Sequence, residues 1–144
     1  MIHAVMDNWH AHLRGELPGG LDELLHDDCV FWSPVVFSAQ RGKELTKMYL
    51  GAAGNVLPGE SDGGAEAKPV NGDEGKFHYV KKILDGNHAV LEFETTLDGI
   101  SVNGVDIITC DDDGKIIEFK VMIRPLKAIN KVHEQMGAML EKMT

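Results

Sequence analysis

The chain has 144 residues, of which 43% are hydrophobic and 26% charged, and this composition is typical of one globular domain with a single core. Its net charge of −9 argues against nucleic acid or an anionic membrane surface as a partner, because such partners attract basic proteins. No segment approaches the ~20 apolar residues of a membrane span, and the N-terminus lacks a signal peptide's apolar run. We therefore expect one cytoplasmic domain over residues 1–144.

The first half of the chain predicts helices around one short strand. Apolar residues recur at helical spacing in residues 2–16 and 42–53, and a shorter helix is expected over residues 21–25. Residues 29–33 predict a strand that ends before Pro34, since proline cannot donate to a sheet ladder. The inward positions of the two longer helices are Ile2, Val5, Met6, Trp9 and Leu13, and then Leu45, Met48, Tyr49 and Ala52.

The second half predicts four strands and a closing helix. Residues 57–75 are rich in glycine, proline and acids without periodicity, which predicts a flexible loop. Strands are expected over residues 77–85, 88–97, 101–110 and 115–123. Asn103-Gly104 suggests a bulge or bend, and Pro125 suits the start of a helix over residues 126–143. Helices separated from an antiparallel sheet indicate an α+β fold, here a cone formed by a strongly curved sheet wrapped by helices, with a cavity at its wide end.

Alternation along the strands predicts two unlike faces of the sheet. The face expected to line the cavity carries Leu91, Phe93, Thr95, Leu97, Asp106, Ile108, Cys110, Ile117, Phe119, Val121 and Ile123. The other face combines charged residues with Val90, Ile107 and Met122, which is more apolar than a fully solvated surface. We therefore expect a homodimer that forms through this outer face.

Three segments carry a resemblance to a known superfamily: LDELLHDDCVFWSP, RGKELTKMYL and GVDIITCDDDGKIIEFKVMIRPLKAI. With these segments the chain resembles the nuclear transport factor 2-like superfamily and, within it, the bacterial SnoaL-like proteins. The resemblance covers nearly the whole chain, and it too implies the cone-shaped fold and a sheet-to-sheet dimer. It leaves the activity open, because the superfamily hosts isomerases, hydrolases, cyclases, dehydratases and non-enzymatic binders.

Comparison with ketosteroid isomerase, a member of that superfamily, implies roles for three positions. Asp106 matches an aspartic acid that the family keeps protonated in an apolar site, where it donates a hydrogen bond to an enolate oxygen. The family's general base is a carboxylate before the proline that ends the first strand; here Ser33 stands there and cannot take an α-proton at pH 7. Trp9 replaces a phenolic donor on the first helix, and its indole donates but does not titrate. Steroid isomerisation by that mechanism is therefore not expected, although the cavity is.

The candidate site has one central carboxyl group. We expect Asp106 to be the polar anchor of the cavity; the alternative is a structural carboxylate bonded to the Asn103-Gly104 bend. Tyr49 is a second candidate donor, and His78 a candidate general base unless it is a solvated strand histidine. The expected lining residues, which also suit a plain core, are Trp9, Phe31, Ser33, Phe93, Phe119, Val121 and Ile123.

No metal or cofactor motif is evident in the sequence. His10 and His12 are two residues apart on a helix and diverge, and GAAGNVLPG follows a helix rather than a strand. We therefore expect no cofactor and a small apolar ligand. The protein would then be an isomerase, cyclase, hydrolase or dehydratase acting on a polycyclic or terpenoid-like ketone or epoxide. The alternatives are a non-catalytic binder or carrier and a protein-interaction module.

Overall fold

We describe residues 1–56 and 77–143 of a computed structural model; the predicted loop at residues 57–75 lies outside these residues. The described residues form four helices and six strands. In chain order these are α1 (Ile2–Leu13), α2 (Leu21–Leu24), β1 (Leu25–Trp32), β2 (Gln40–Arg41), α3 (Lys43–Val56), β3 (His78–Asp85), β4 (His88–Leu97), β5 (Ile100–Cys110), β6 (Ile116–Arg124) and α4 (Leu126–Met143).

The six strands form one curved, open sheet in the order β2-β1-β6-β5-β4-β3. Strands β3 to β6 follow one another as an antiparallel meander, whereas β1 runs parallel to β6 and antiparallel to β2. Helix α3 packs on β1 and on α4. The α+β prediction is confirmed, with one parallel strand pair that the sequence did not indicate.

The buried stripe of α1 contains four of the five residues that its sequence predicts, and the fifth, Leu13, is half-buried. Ile2, Val5, Met6 and Trp9 are all buried against the inner face of the sheet. Burial of a large apolar side chain contributes on the order of 1.5–3 kcal/mol, so this stripe holds α1 across the sheet. Helix α4 also begins and ends at the predicted residues, whereas β1 starts four residues earlier than predicted and β2 was not predicted.

The Asn103-Gly104 pair does not form the predicted bulge or bend. β5 pairs with β4 in continuous register through both residues. A Cβ atom at Gly104 would lie 2.5 Å from Phe93 Cζ and 2.6 Å from the Met122 carbonyl oxygen. Glycine therefore occupies position 104 because the Phe93 ring and the neighbouring strand approach it closely, and not because the chain turns there.

The prediction that Ile117 faces inward is also wrong. The register between β5 and β6 shifts near Cys110, which pairs with Ile116, while Thr109 pairs with Glu118. This bulge adds one residue and reverses the alternation at the start of β6. Ile116 is consequently buried, and Ile117 is 36% exposed.

Replacement of Gly104 by alanine tests the close approach of Phe93. We expect Gly104→Ala to lower the free energy of unfolding by about 2–3 kcal/mol, because the new methyl group overlaps the ring and a backbone oxygen. Urea denaturation measures the change.

The matched control is Gly137→Ala on α4, where a Cβ atom meets nothing within 4 Å. This variant should be about 0.5–1 kcal/mol more stable than the unmodified chain, because alanine favours the helix. Equal stability of the two alanine variants would contradict the packing role given to Gly104.

Candidate functional site

A cavity of about 250 Å³ lies between the inner face of the sheet and the helices α1, α3 and α4. Its size is slightly below the range that is usual for small-molecule pockets. All seven residues expected to line a cavity do so: Trp9, Phe31, Ser33, Phe93, Phe119, Val121 and Ile123. The cavity therefore coincides with the inner face that strand alternation predicts.

Aromatic rings form most of the cavity wall. The Phe31 ring stacks on Tyr49 of α3 with centroids 5.3 Å apart, and the Trp9 ring lies 5.0 Å from Phe119. Phe77 stacks on Phe93 at 4.8 Å. These buried rings leave an apolar surface, which favours an apolar ligand.

A chain of hydrogen bonds reaches the cavity wall at Asp106. The Trp9 Nε1–H donates to the Tyr79 hydroxyl oxygen over 3.0 Å, and the Tyr79 hydroxyl donates to Asp106 Oδ2 over 2.7 Å. An indole can only donate, so one lone pair of the tyrosine oxygen is committed to Trp9. The 2.7 Å distance is typical of a hydroxyl donor and lies within the range found for a carboxylate acceptor. Asp106, only 6% exposed, is thus an acceptor from Tyr79.

The three residues of this hydrogen-bond network come from three separate elements. Trp9 projects from α1, Tyr79 lies on β3 and Asp106 on β5. Tyr79 pairs with the inward-facing Phe93, and the register then shifts before Lys81. Asp106 pairs with Leu91 on one side and Val121 on the other, in the middle of the sheet.

Besides the tyrosine hydroxyl of Tyr49, two further polar side chains line the cavity. The Ser33 Oγ accepts a hydrogen bond from the Val35 N–H over 3.1 Å, which shapes the chain after β1. His133 projects from α4 and is exposed. Among the described residues that line the cavity, Asp106 is the only carboxyl group. No group of three or more potential metal ligands occurs within residues 1–56 and 77–143.

The structure brings together all but one of the candidate site residues. Asp106 and Tyr49 both line the cavity. His78 does not, because Tyr79 takes the inward position and the preceding residue of the strand points to the other face. There His78 pairs with Glu94 and lines a separate polar groove that also contains Arg124.

Sequence reasoning missed Tyr79 altogether. It also missed Phe77, His133 and Met136, which line the cavity as well. The available signal was the spacing of Phe77 and Tyr79, two residues apart in a predicted strand and therefore on one face. Tyr79, a phenol on the face expected to line the cavity, was a stronger candidate donor than its neighbour His78.

Other titratable groups near the core are held in their neutral forms by burial. Burial lowers the pKa of His12, whose ring lies 5.5 Å from that of Trp9. The stability that neutral His12 confers is therefore present above pH 6.5 and lost as the pH falls through its lowered pKa. Burial likewise raises the pKa values of the free thiols Cys29 and Cys110, which do not reach the predicted site.

None of the described helices has both the length and the apolar character that crossing a membrane requires.

The solved structures that resemble the chain share its fold over most of their length. A steroid delta-isomerase from Pseudomonas aeruginosa is 29% identical, with a TM-score of 0.82 over 99% of this chain and 93% of that one. An NTF2-like protein of unknown function from Mesorhizobium loti is 19% identical, with a TM-score of 0.63 over 86% and 91%. A proposed polyketide cyclase from Sinorhizobium meliloti is 14% identical, with a TM-score of 0.55 over 83% and 94%.

The resemblance that the sequence predicts is confirmed: the chain has the fold of the nuclear transport factor 2-like superfamily. No protein-family model and no curated protein sequence matches the chain.

Removal of the Tyr79 hydroxyl tests the hydrogen-bond chain. We expect Tyr79→Phe to lower the free energy of unfolding by about 2–3 kcal/mol, because both Trp9 and the buried Asp106 lose a partner. Tyr49→Phe removes a hydroxyl from the same cavity wall while keeping the ring that stacks on Phe31, and should change the stability by less than about 0.5 kcal/mol. Urea denaturation compares the two, and equal losses would show that the Tyr79 bonds add nothing to stability.

Proposed function

We propose that the protein binds a small apolar ketone in the cavity and moves a carbon–carbon double bond of that ketone, with Asp106 as the group that takes and returns the proton. The observation that carries the proposal is the buried Asp106 carboxyl group, which lines an aromatic cavity and accepts a hydrogen bond from Tyr79. The 29% identical steroid delta-isomerase supports the reaction class.

The proposed reaction needs one base and no co-reactant. The Asp106 carboxylate removes a proton from the carbon next to the carbonyl group, and the electron pair of the broken C–H bond passes through the new double bond to the carbonyl oxygen. The carboxylic acid then returns the same proton to a carbon two positions further along, which gives a conjugated ketone. A positioned base of this kind contributes roughly 10²–10⁴-fold to the rate.

Tyr79 has a second task in this proposal. While Asp106 is ionised, the Tyr79 hydroxyl donates to it. Once the carboxyl group carries the substrate proton, it no longer demands that bond, and the tyrosine proton can turn towards the enolate oxygen. Trp9 continues to donate to the tyrosine oxygen and so holds the phenol in place. Donors that face a developing oxyanion in a dry site lower the barrier substantially.

The remaining candidate residues have lesser parts. Tyr49 contributes a ring face to the ligand cavity, where it stacks on Phe31. Ser33 lines the cavity but cannot act as the base. His78 has no part in the proposal, because it lies on the opposite face of the sheet.

A second candidate function is non-catalytic binding of the same ligand class. One observation favours it: a serine, whose oxygen is bonded to the Val35 N–H, stands where ketosteroid isomerase has its basic carboxylate. In that case the cavity would hold its ligand without turnover.

A homodimer through the outer face of the sheet forms part of the proposal. Ile83, Val90 and Ile107 are consecutive cross-strand neighbours on β3, β4 and β5, and Met122 extends this apolar band on β6. Ile83 is 54% and Met122 50% exposed, which leaves apolar surface for a second copy to cover.

Replacement of Asp106 by asparagine tests the proton transfer. We expect Asp106→Asn to reduce kcat/KM on a β,γ-unsaturated cyclic ketone by at least ~100-fold, because an amide keeps the shape of the carboxyl group but cannot accept the proton. The absorbance of the conjugated product measures the rate. Asp98→Asn, the same change at an exposed residue that pairs with Gln135 and Lys131, should retain full activity.

Three results distinguish the candidate functions. Loss of turnover in Asp106→Asn with ligand binding kept supports the isomerase. Undiminished turnover in that variant refutes the role of Asp106. Ligand binding by the unmodified chain without turnover of any tested ketone would favour the binder.

The dimer is tested by placing a charge on the apolar band. We expect the unmodified chain to sediment as a dimer and Met122→Asp to sediment as a monomer, because two buried carboxylates would face each other across a symmetric contact. The control is Phe37→Asp, which changes a 97% exposed residue on the loop between β1 and β2 and should leave the dimer intact. A monomeric unmodified chain in sedimentation velocity would refute the proposed interface.

A further inference from the structure

The size of the cavity limits the number of rings that a ligand can bury. A cavity of roughly 150 Å³ in another protein accommodates one benzene ring. The cavity between α1, α3, α4 and the sheet has a volume of about 250 Å³. On the same scale, about 250 Å³ corresponds to roughly ten ring carbons, whereas a four-ring steroid skeleton of about seventeen ring carbons needs roughly 400 Å³.

The walls leave few ways to enlarge that volume. Phe93 and Phe119 are each about 1% exposed, and Phe31 is 3% exposed, so these rings are held in place by the side chains packed around them. Protein interiors resist such displacement, because a shifted ring must leave its rotamer and find new partners. The half-buried Met136 of α4 is more adaptable, since methionine has a flexible, unbranched side chain.

Charge and polarity restrict the ligand further. The polar side chains at the cavity are few: Asp106 with its donor Tyr79, then Tyr49, Ser33 and the exposed His133. A carboxyl group in an apolar wall repels an anionic ligand, and the net charge of −9 acts in the same direction. A ligand that matches this wall has one carbonyl oxygen next to Tyr79 and Asp106 and is otherwise a hydrocarbon.

From these observations we infer that the ligand is a neutral two-ring ketone that carries its oxygen at one end, and not a four-ring steroid. The inference rests on the proposed function, since it names the substrate class of the same cavity. A third or fourth ring would exceed the cavity volume of about 250 Å³ and would gain no further contact with the cavity walls that the described residues form.

Binding of three saturated ketones tests the ring count. Isothermal titration calorimetry of the unmodified chain with cyclohexanone, 2-decalone and 5α-androstan-3-one compares one, two and four rings. We expect 2-decalone to bind at least tenfold more tightly than cyclohexanone, because the second ring leaves water for the cavity. The four-ring ketone should bind no more tightly than 2-decalone.

A cavity-enlarging variant checks that size is the cause. Met136→Ala removes most of the adaptable wall residue on α4 and should increase the affinity for the four-ring ketone about tenfold. The control is Leu126→Ala, which truncates a 71% exposed side chain at the start of α4, away from the cavity, and should leave all three affinities unaltered.

The outcomes separate this inference from the proposed function. Tighter binding of the four-ring ketone to the unmodified chain, equal binding of one-ring and two-ring ketones, or no gain in Met136→Ala would overturn the two-ring ligand and leave the isomerase proposal standing. A chain that binds none of the three ketones would overturn both.

Discussion

The hydrogen bond from Tyr79 to Asp106 is the interaction on which the candidate site depends. A carboxylate in an apolar environment costs several kcal/mol unless donors compensate the lost water. Tyr79 supplies a donor 2.7 Å from Asp106 Oδ2, and Trp9 fixes that donor from the opposite side. The three residues lie on α1, β3 and β5. The two hydrogen bonds that compensate the burial of Asp106 therefore also link α1 to the sheet. The same hydrogen bonds therefore contribute both to the candidate site and to the stability of the fold.

Most of the inner face could be predicted because regular strands alternate. Along β4 and β5 the inward side chains, from Leu91 to Cys110, lie where a period of two puts them. The failures occur where a tertiary contact overrides the period. The bulge opposite Cys110 turns Ile117 outward, and Gly104, which in sequence suggests a bend, is a glycine because the Phe93 ring lies against it. Both depend on neighbouring strands that the local sequence does not specify.

The candidate site was harder to predict than the fold, since its polar contacts join distant segments. Asp106 could be placed in the cavity from its strand alone, but its partner Tyr79 is 27 residues away and Trp9 is 70 residues from Tyr79. The resemblance to ketosteroid isomerase directed attention to a phenol on the first helix, and a tryptophan stands there instead. In this chain the phenol comes from β3. The donor thus reaches the carboxyl group from the sheet, and the indole of the first helix supports it from behind.

The same packing that admits Phe93 to the sheet also determines how much room a ligand has. Because Gly104 has no side chain, the Phe93 ring lies directly against the backbone of β5, in the space that a Cβ atom would occupy. Any larger residue at that position would push the ring away from the sheet and into the cavity that Phe93 lines. The size of the cavity therefore depends on backbone spacing in the middle of the sheet. The sheet side of the cavity is tightly packed and cannot easily move. Ligands of other sizes would therefore have to be accommodated by the helices, above all by the side of α4 that carries Met136.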